Sequence, residues 1–283
     1  MSYRLLSTLI LLILAMPVAP QSGNMQEDKS PHRSGFATVN GIKLHYLDWG
    51  GKGEALLFIT GMGDNAHVFD EMAPKFTDRF RVMALTRRGY GESDKPETGY
   101  DIPTRAEDIR HFLDIMKIKR VNLVGHSLGG DELTQFASVY PSRTLKLVYL
   151  DAAYDRSDLA AIVAKDPLTI KPPENKIQAA LIKGQQALHL DYKKVKAPAL
   201  SYYAIIETHW ELKPDSDEPT RKKAEEFMER QAKPWQWKNI ERFRKEVVNG
   251  QVVVMRDTHH YFFIDPKRKD EVVREIRAFL LSK

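Results

Sequence analysis

Short apolar runs recur along most of the chain and alternate with segments of helical periodicity. Six runs of four to six residues are rich in Leu, Val or aromatic residues: Ala55–Ile59, Arg81–Leu85, Val121–Val124, Leu147–Leu150, Ala199–Ala204 and Val252–Met255. They do not alternate cleanly between apolar and polar residues, which is typical of parallel strands covered by helices on both faces. Thr104–Met116 and Leu128–Val139 have the spacing of amphipathic helices. The pattern predicts an α/β fold with a mostly parallel sheet.

The sequence before these runs predicts antiparallel strands, unlike the parallel strands predicted for the rest of the sheet. Phe36–Val39 and Ile42–Leu47 are strand-like and flank the pair Asn40-Gly41. Both turn residues tolerate positive φ, so the segment predicts a β-hairpin. The sheet is therefore expected to begin with antiparallel strands.

Two long segments interrupt the alternation of strand and helix. Residues at about 155–195 and 208–249 are polar, helical in pattern and without an obvious strand. We call them the first and second cap segments, because we expect them to cover the carboxyl ends of the strands, where α/β sheets place their sites. The second contains Trp235 and Trp237. Packing of a cap helix is preferred for this pair over lining of a substrate cavity.

The N-terminus has the pattern of a targeting segment. Arg4 precedes an apolar run over Leu5–Met16, after which the chain becomes polar. The run is shorter than the roughly 20 residues that span a bilayer, so residues 1–22 are interpreted as a secretory signal peptide, with an uncleaved anchor as the alternative. Residues 23–34 are interpreted as a linker and residues 35–283 as one domain. We expect an exported protein, either periplasmic or secreted.

Composition and charge bear on which partners and cofactors the protein is expected to bind. The formal net charge is only +5, and Lys and Arg are interspersed with nearly as many Asp and Glu. This balance gives no indication of a nucleic-acid partner. The absence of Cys rules out a lipoprotein anchor and disulfides. No tight cluster of metal-ligating residues is visible, and neither a metal nor an organic cofactor is expected. No membrane partner is expected beyond the possible N-terminal anchor.

One motif carries candidate chemistry. Gly125-His126-Ser127-Leu128-Gly129 follows a predicted strand and opens a predicted helix. A strand, a sharp turn and a helix are what a nucleophile elbow requires. The glycines avoid side chains that would collide with neighbouring elements, and the helix N-terminus offers free N–H groups to an oxyanion. The alternative is a glycine-rich turn with an inert serine.

The chain resembles the α/β-hydrolase family from about Phe36 to Leu281. Besides the elbow, the resemblance is carried by four segments in the family's order: Thr60–Gly63, Arg87–Asp94, Lys196–Pro198 and Thr258–Phe262. It implies a fold of helices around a mostly parallel sheet, and a Ser-His-acid mechanism. Thr60 departs from the histidine that the family usually carries there, which puts the support of the following loop in doubt.

The resemblance assigns roles to individual residues. It implies Ser127 as nucleophile and His260, which directly precedes Tyr261, as general base. His259 is then expected to have no catalytic role. The oxyanion hole is implied to use the backbone N–H groups of Leu128 and Met62, and Gly63 is less favoured as a donor.

The resemblance implies two candidate positions for the acid that orients His260. Asp151 follows the run Leu147–Leu150, and Glu207 lies nine residues after Pro198. We favour Asp151 over Glu207, with Asp155 as a distant third. Asp131 is interpreted as an acidic residue favoured in the first turn of a helix, and the alternative is that it tunes the charge near the site.

The predicted function is hydrolysis of a carboxylic ester, or a related acyl bond, of a small molecule through an acyl-serine intermediate. Amide, lactone, thioester and carbon–carbon bond hydrolysis use the same catalytic groups, so the fold alone does not select among them. A cofactor-free perhydrolase or haloperoxidase and a non-catalytic ligand-binding protein are the alternatives.

Overall fold

One eight-stranded sheet organises the part of the chain that the computed structural model describes, which is residues 30–168, 173 and 175–282. The strands are β1 (Arg33–Val39), β2 (Ile42–Gly50), β3 (Glu54–Ile59), β4 (Phe80–Leu85), β5 (Val121–His126), β6 (Thr144–Leu150), β7 (Ala199–Ala204) and β8 (Gly250–Met255). Their order in the sheet is β1-β2-β4-β3-β5-β6-β7-β8.

The sheet starts antiparallel and continues parallel. β1 pairs with β2 through the turn at Asn40 and Gly41, both of which have positive φ, and β2 pairs antiparallel with β4. Every later pairing, from β4 through β8, is parallel. The predicted hairpin and the predicted fold class are confirmed.

The uninterrupted apolar runs have a simple structural cause. Along β3, Leu57 and Ile59 belong to a core on one face of the sheet, whereas Leu56 and Phe58 belong to a core on the other. All four side chains are fully buried. A strand covered on both faces needs apolar residues at successive positions.

Helices cover both faces of the sheet. In the described residues they are α1 (Ile102–Ile115), α2 (Gly129–Val139), α3 (Leu159–Val163), α4 (Lys176–Gln186), α5 (Glu218–Phe227), α6 (Lys233–Glu246) and α7 (Lys269–Leu281). Residues of α1 and α2 pack in the first core, and residues of α7 in the second. None of these helices is long and apolar enough to span a membrane.

The cap segments contain four of these helices. The described residues of the first form α3 and α4, and the second forms α5 and α6, which are joined by a π-helical turn over Met228–Ala232. Pro234 lies in the first turn of α6, and because proline has no N–H, it favours such a break in the hydrogen-bond ladder. The predicted signal peptide, residues 1–22, lies outside the described residues, as do residues 23–29 of the predicted linker. β1 begins at Arg33, within that linker.

Candidate active site

The elbow holds Ser127 between the end of β5 and the start of α2. Its φ is +52°, a left-handed conformation that is strained for a residue with a Cβ. The Ser127 N–H donates to the carbonyl oxygen of Leu150 over 3.2 Å, which fixes the turn to the neighbouring strand β6. The side chain is therefore presented at the carboxyl end of the sheet by a turn that local pairing enforces.

The flanking glycines are required by close packing. A Cβ at Gly125 would lie 2.9 Å from the carbonyl carbon of Gly129, and one at Gly129 would lie 2.7 Å from the carbonyl oxygen of Ile59. Side chains at either position would force β3, β5 and α2 apart. The predicted reason for these glycines is confirmed.

Asp151 lies beside the elbow because it follows the adjacent strand. His126 at the end of β5 pairs with Leu150 at the end of β6, so Ser127 and Asp151 both come directly after paired strand ends. The Asp151 N–H donates to the carbonyl oxygen of Tyr202 over 3.0 Å, and its φ is +49°. The carboxyl ends of three neighbouring strands thus hold the nucleophile candidate and one acid candidate at one edge.

His260 reaches Asp151 from the loop after β8. Its Nδ1 lies 2.6 Å from Oδ2 of Asp151, and both side chains are nearly buried. Because a carboxylate only accepts, Nδ1 carries the hydrogen, and the lone pair of the neutral ring is on Nε2. That is the tautomer a general base for a serine requires.

Two further donors hold the Asp151 carboxylate in place. Its Oδ1 accepts from the Tyr154 hydroxyl over 2.6 Å and from the Ala204 N–H over 3.1 Å. Burial, and secondly the charge of Asp151, raise the pKa of Tyr154 well above its ordinary value, so its hydroxyl stays a donor. One carboxylate oxygen therefore faces fixed donors, and the other faces His260.

His126 links the His260 loop to the elbow. The ring centroids of His126 and His260 are 4.4 Å apart, and Nε2 of His126 lies 3.2 Å from the His260 carbonyl oxygen. Since His126 directly precedes Ser127, the structure brings Ser127, His260 and Asp151 into one neighbourhood.

The other two acid candidates pair with basic residues elsewhere and not with His260. Glu207 is exposed and pairs with Arg256 over 2.9 Å and with Lys233 over 3.4 Å. Asp155 pairs with Arg242.

His259 is also held in a contact of its own. It is partly exposed, and its Nε2 lies 3.3 Å from Oδ2 of Asp265.

The oxyanion candidates lie under the first cap segment. A Cβ at Gly61 would lie 3.1 Å from the Cβ of Ser127, so the loop after β3 passes directly beside the elbow. The side chains of Met62 and Leu128 are buried in one apolar cluster with Leu181 of α4. The part of the chain that the structure describes contains no group of three or more His, Asp or Glu residues that could hold a metal ion.

Gly63 makes a different contact. Burial raises the pKa of Tyr90, and that rise is opposed first by Arg87 and then by a hydrogen bond from the Gly63 backbone. The Gly63 backbone thus lies near the Tyr90 hydroxyl.

Comparison with known proteins agrees with the fold described above. A family model described as alpha/beta hydrolase fold matches residues 54–177, which include β3, the elbow and Asp151. An esterase from Exiguobacterium antarcticum superposes with a TM-score of 0.65 over 88% of this chain and 100% of its own, at 17% identity. The chain has the α/β-hydrolase fold.

Two curated relatives match over shorter stretches. An uncharacterized protein of Mycobacterium tuberculosis is 37% identical over 125 residues, which are 44% of this chain and 36% of the relative. A 2-(acetamidomethylene)succinate hydrolase from Mesorhizobium japonicum is 38% identical over 101 residues, which are 36% of each chain. The chain therefore matches little more than a third of the length of these relatives.

Asp131, on the first turn of α2, belongs to a buried ion pair. Its Oδ1 accepts from Nη1 of Arg156 over 2.6 Å, and its Oδ2 accepts from the Gln185 amide over 3.1 Å. Burial raises the pKa of Asp131, and the charge of Arg156 opposes that rise. These contacts tie α2 to the chain after Asp151 and to α4.

Replacing Asp131 with alanine is expected to destabilise the protein by about 3–5 kcal/mol, because Arg156 would be left as a buried charge without its partner. Urea denaturation followed by circular dichroism measures the change. Glu226→Ala, which breaks the exposed pair of Glu226 with Arg230, is the matched control and should change stability by less than about 0.5 kcal/mol. A loss below about 1 kcal/mol for Asp131→Ala would contradict a structural role for the pair.

Some site contacts were not found by sequence reasoning. Tyr154 and Ala204 hold the Asp151 carboxylate, and Asp64 contacts the elbow. The sequence does offer an indication for Asp64, because it is an acidic residue directly after the segment Thr60–Gly63. The donation from the Ala204 backbone had none, because any residue other than proline supplies an N–H.

Proposed function

We propose that this α/β-hydrolase cleaves a carboxylic ester, or a related acyl bond, of a small molecule through an acyl-serine intermediate. The observation that carries the proposal is the 2.6 Å contact between His260 Nδ1 and Asp151 beside the strained turn at Ser127. The names of the hydrolase and esterase relatives support hydrolysis as the reaction class. They leave the bond and the substrate open.

The proposed reaction begins with attack by the Ser127 hydroxyl on the carbonyl carbon. His260 accepts the hydroxyl proton at Nε2, and Asp151 stabilises the imidazolium that forms. The developing oxyanion accepts hydrogen bonds from the backbone N–H groups of Met62 and Leu128, and a single donor of this kind is worth about 3–4 kcal/mol in other enzymes.

The tetrahedral intermediate collapses when the carbon–oxygen bond to the leaving group breaks. His260 returns the proton to the departing alkoxide, which leaves as an alcohol and yields the acyl-serine. Water then attacks the acyl carbon while His260 takes its proton, and the second collapse releases the carboxylic acid and restores the Ser127 hydroxyl.

Asp151 is the proposed acid in preference to Glu207. Asp151 is nearly buried, bonded to His260 and held by two donors. Glu207 is exposed and paired with two cations. A carboxylate that must fix an imidazole needs a defined geometry, which the first environment provides and the second does not.

Labelling with a fluorophosphonate probe tests the proposal. We expect the wild-type protein to be modified at a single site, and peptide mapping by mass spectrometry to place the adduct on Ser127. Glu207→Gln should be labelled at the wild-type rate, because within the described residues its carboxylate pairs with Arg256 and Lys233 and not with His260. A folded wild-type protein that resists the probe and hydrolyses no model ester would overturn the proposal in favour of a ligand-binding protein.

A further inference from the structure

The first residue of the loop after β3 makes no side-chain hydrogen bond within the described residues. Thr60 takes the place of the histidine that the family usually carries, and it is completely buried. Among the residues that the structure describes, its hydroxyl oxygen has no hydrogen-bond partner. Within the described residues, hydrogen-bonded support for the backbone that leads to Met62 therefore comes from a residue other than Thr60.

Asp64, at the far end of the same loop, makes contacts that can supply this support. Its Oδ2 lies 3.3 Å from Nδ1 of His126, and its Oδ1 accepts from the Tyr261 hydroxyl over 3.2 Å. His126 directly precedes Ser127, and Tyr261 directly follows His260. One carboxylate thus contacts the neighbour of the proposed nucleophile and the neighbour of the proposed base.

His126 completes the connection between these loops. It is fully buried, and its second nitrogen, Nε2, lies 3.2 Å from the His260 carbonyl oxygen. The ring of Tyr261 packs on it, with centroids 4.7 Å apart. Asp64, His126 and Tyr261, which we call the Asp64 cluster, therefore join the oxyanion loop, the elbow and the His260 loop.

The backbone of the oxyanion loop is packed tightly against this cluster. A Cβ at Gly61 would lie 2.8 Å from Nδ1 of His126 and 2.9 Å from Oδ2 of Asp64. Met62 comes next in the chain, with Gly63 between it and Asp64. A movement of the Asp64 side chain therefore allows the Met62 N–H to move relative to Ser127.

We infer that Asp64 is a positioning residue that holds the oxyanion loop against the elbow in place of a histidine at position 60. The inference rests on the proposed serine-hydrolase function. Asp64 acts through the Met62 N–H, so its contribution appears when the oxyanion forms and not when the substrate binds.

The hydrogen-bonding capacity of the cluster defines a conservative variant. Both partners of His126, the Asp64 carboxylate and the His260 carbonyl oxygen, only accept, and a neutral ring carries a single N–H. The bond to the charged carboxylate is the stronger of the two, so Nδ1 donates to Asp64. Asn at position 64 can accept from Nδ1 through its oxygen and donate to the Tyr261 hydroxyl oxygen through its nitrogen, so Asp64→Asn can keep both contacts, whereas Asp64→Ala loses both.

The test compares steady-state hydrolysis of a p-nitrophenyl ester by wild type, Asp64→Ala and Asp64→Asn. We expect Asp64→Ala to lower kcat by about 10²-fold or more, the loss typical of one oxyanion donor, with KM nearly unchanged. Asp64→Asn should recover most of this loss. A boronic acid that mimics the tetrahedral intermediate should bind Asp64→Ala more weakly by a factor similar to the loss in kcat.

Two controls separate the outcomes. Asp215→Ala, at an exposed position, should leave kcat unchanged, and thermal unfolding reports whether Asp64→Ala is folded. The positioning role is wrong if the wild type is active and folded Asp64→Ala keeps its kcat. It is also wrong if Asp64→Ala has a lower kcat and a higher KM but binds the boronic acid as tightly as the wild type. If wild type itself neither hydrolyses the ester nor reacts with a fluorophosphonate, the proposed function has failed instead.

Discussion

Replacing Ser127 with alanine is expected to reduce ester hydrolysis by about six orders of magnitude, as loss of the nucleophile does in a serine protease. This corresponds to about 8 kcal/mol of lost transition-state stabilisation. The reason is that no acyl-enzyme can form, while His260 and Asp151 have no hydroxyl to activate. Initial rates with a p-nitrophenyl ester, measured against the buffer background, check the result.

The matched control for this variant lies on the same helix. Ser138 is near the end of α2, and its hydroxyl donates to the carbonyl oxygen of Thr134 over 2.7 Å. Ser138→Ala should keep wild-type activity. If Ser127→Ala retains more than about 1% of the wild-type rate after contaminating esterases are removed, the assigned mechanism is incorrect.

The elements that the sequence predicts well are those whose determinants are local. The run Ala199–Ala204 has the bounds of β7, since each of its residues must be buried between two helical layers. The elbow is equally local: strand, glycines, serine and helix start lie within a short stretch, and the packing limits on Gly125 and Gly129 are visible as residue types.

The choice between the two acid candidates is harder to make from the sequence, because it depends on tertiary contacts. Asp151 and Glu207 follow neighbouring strands, and both are acidic residues beyond a buried run. What separates them is the donation from Ala204 and Tyr154 to one and the nearby charge of Arg256 at the other. Arg256 is 49 positions from Glu207, and spacing in the sequence does not reveal that they meet.

The same limit applies to Asp64. Its contacts with His126 and Tyr261 join segments 62 and 197 positions apart. The sequence shows Thr60 where the family usually carries a histidine, and this difference concerns the support of the following loop. The anchor that the structure offers became visible only when the three loops were placed together.

Asp151→Asn is expected to lower kcat by about 10⁴-fold, with little change in KM, because the substitution selects the wrong tautomer of His260. At Asp151, Oδ1 accepts from the Tyr154 hydroxyl and the Ala204 N–H. In the variant the amide oxygen is the group that can accept both bonds, so the amide nitrogen faces His260. Its N–H groups require Nδ1 to act as the acceptor, and the ring hydrogen then moves to Nε2, where it blocks proton transfer from Ser127.

Steady-state kinetics with a p-nitrophenyl ester and the rate of fluorophosphonate labelling both measure this effect. Glu207→Gln is the matched control, since it makes the same chemical change in a carboxylate that contacts Arg256 and Lys233. We expect it to keep the wild-type kcat and labelling rate. The reverse result, with Glu207→Gln inactive and Asp151→Asn active, would transfer the role of the acid to Glu207 and require its loop to move toward His260 during catalysis.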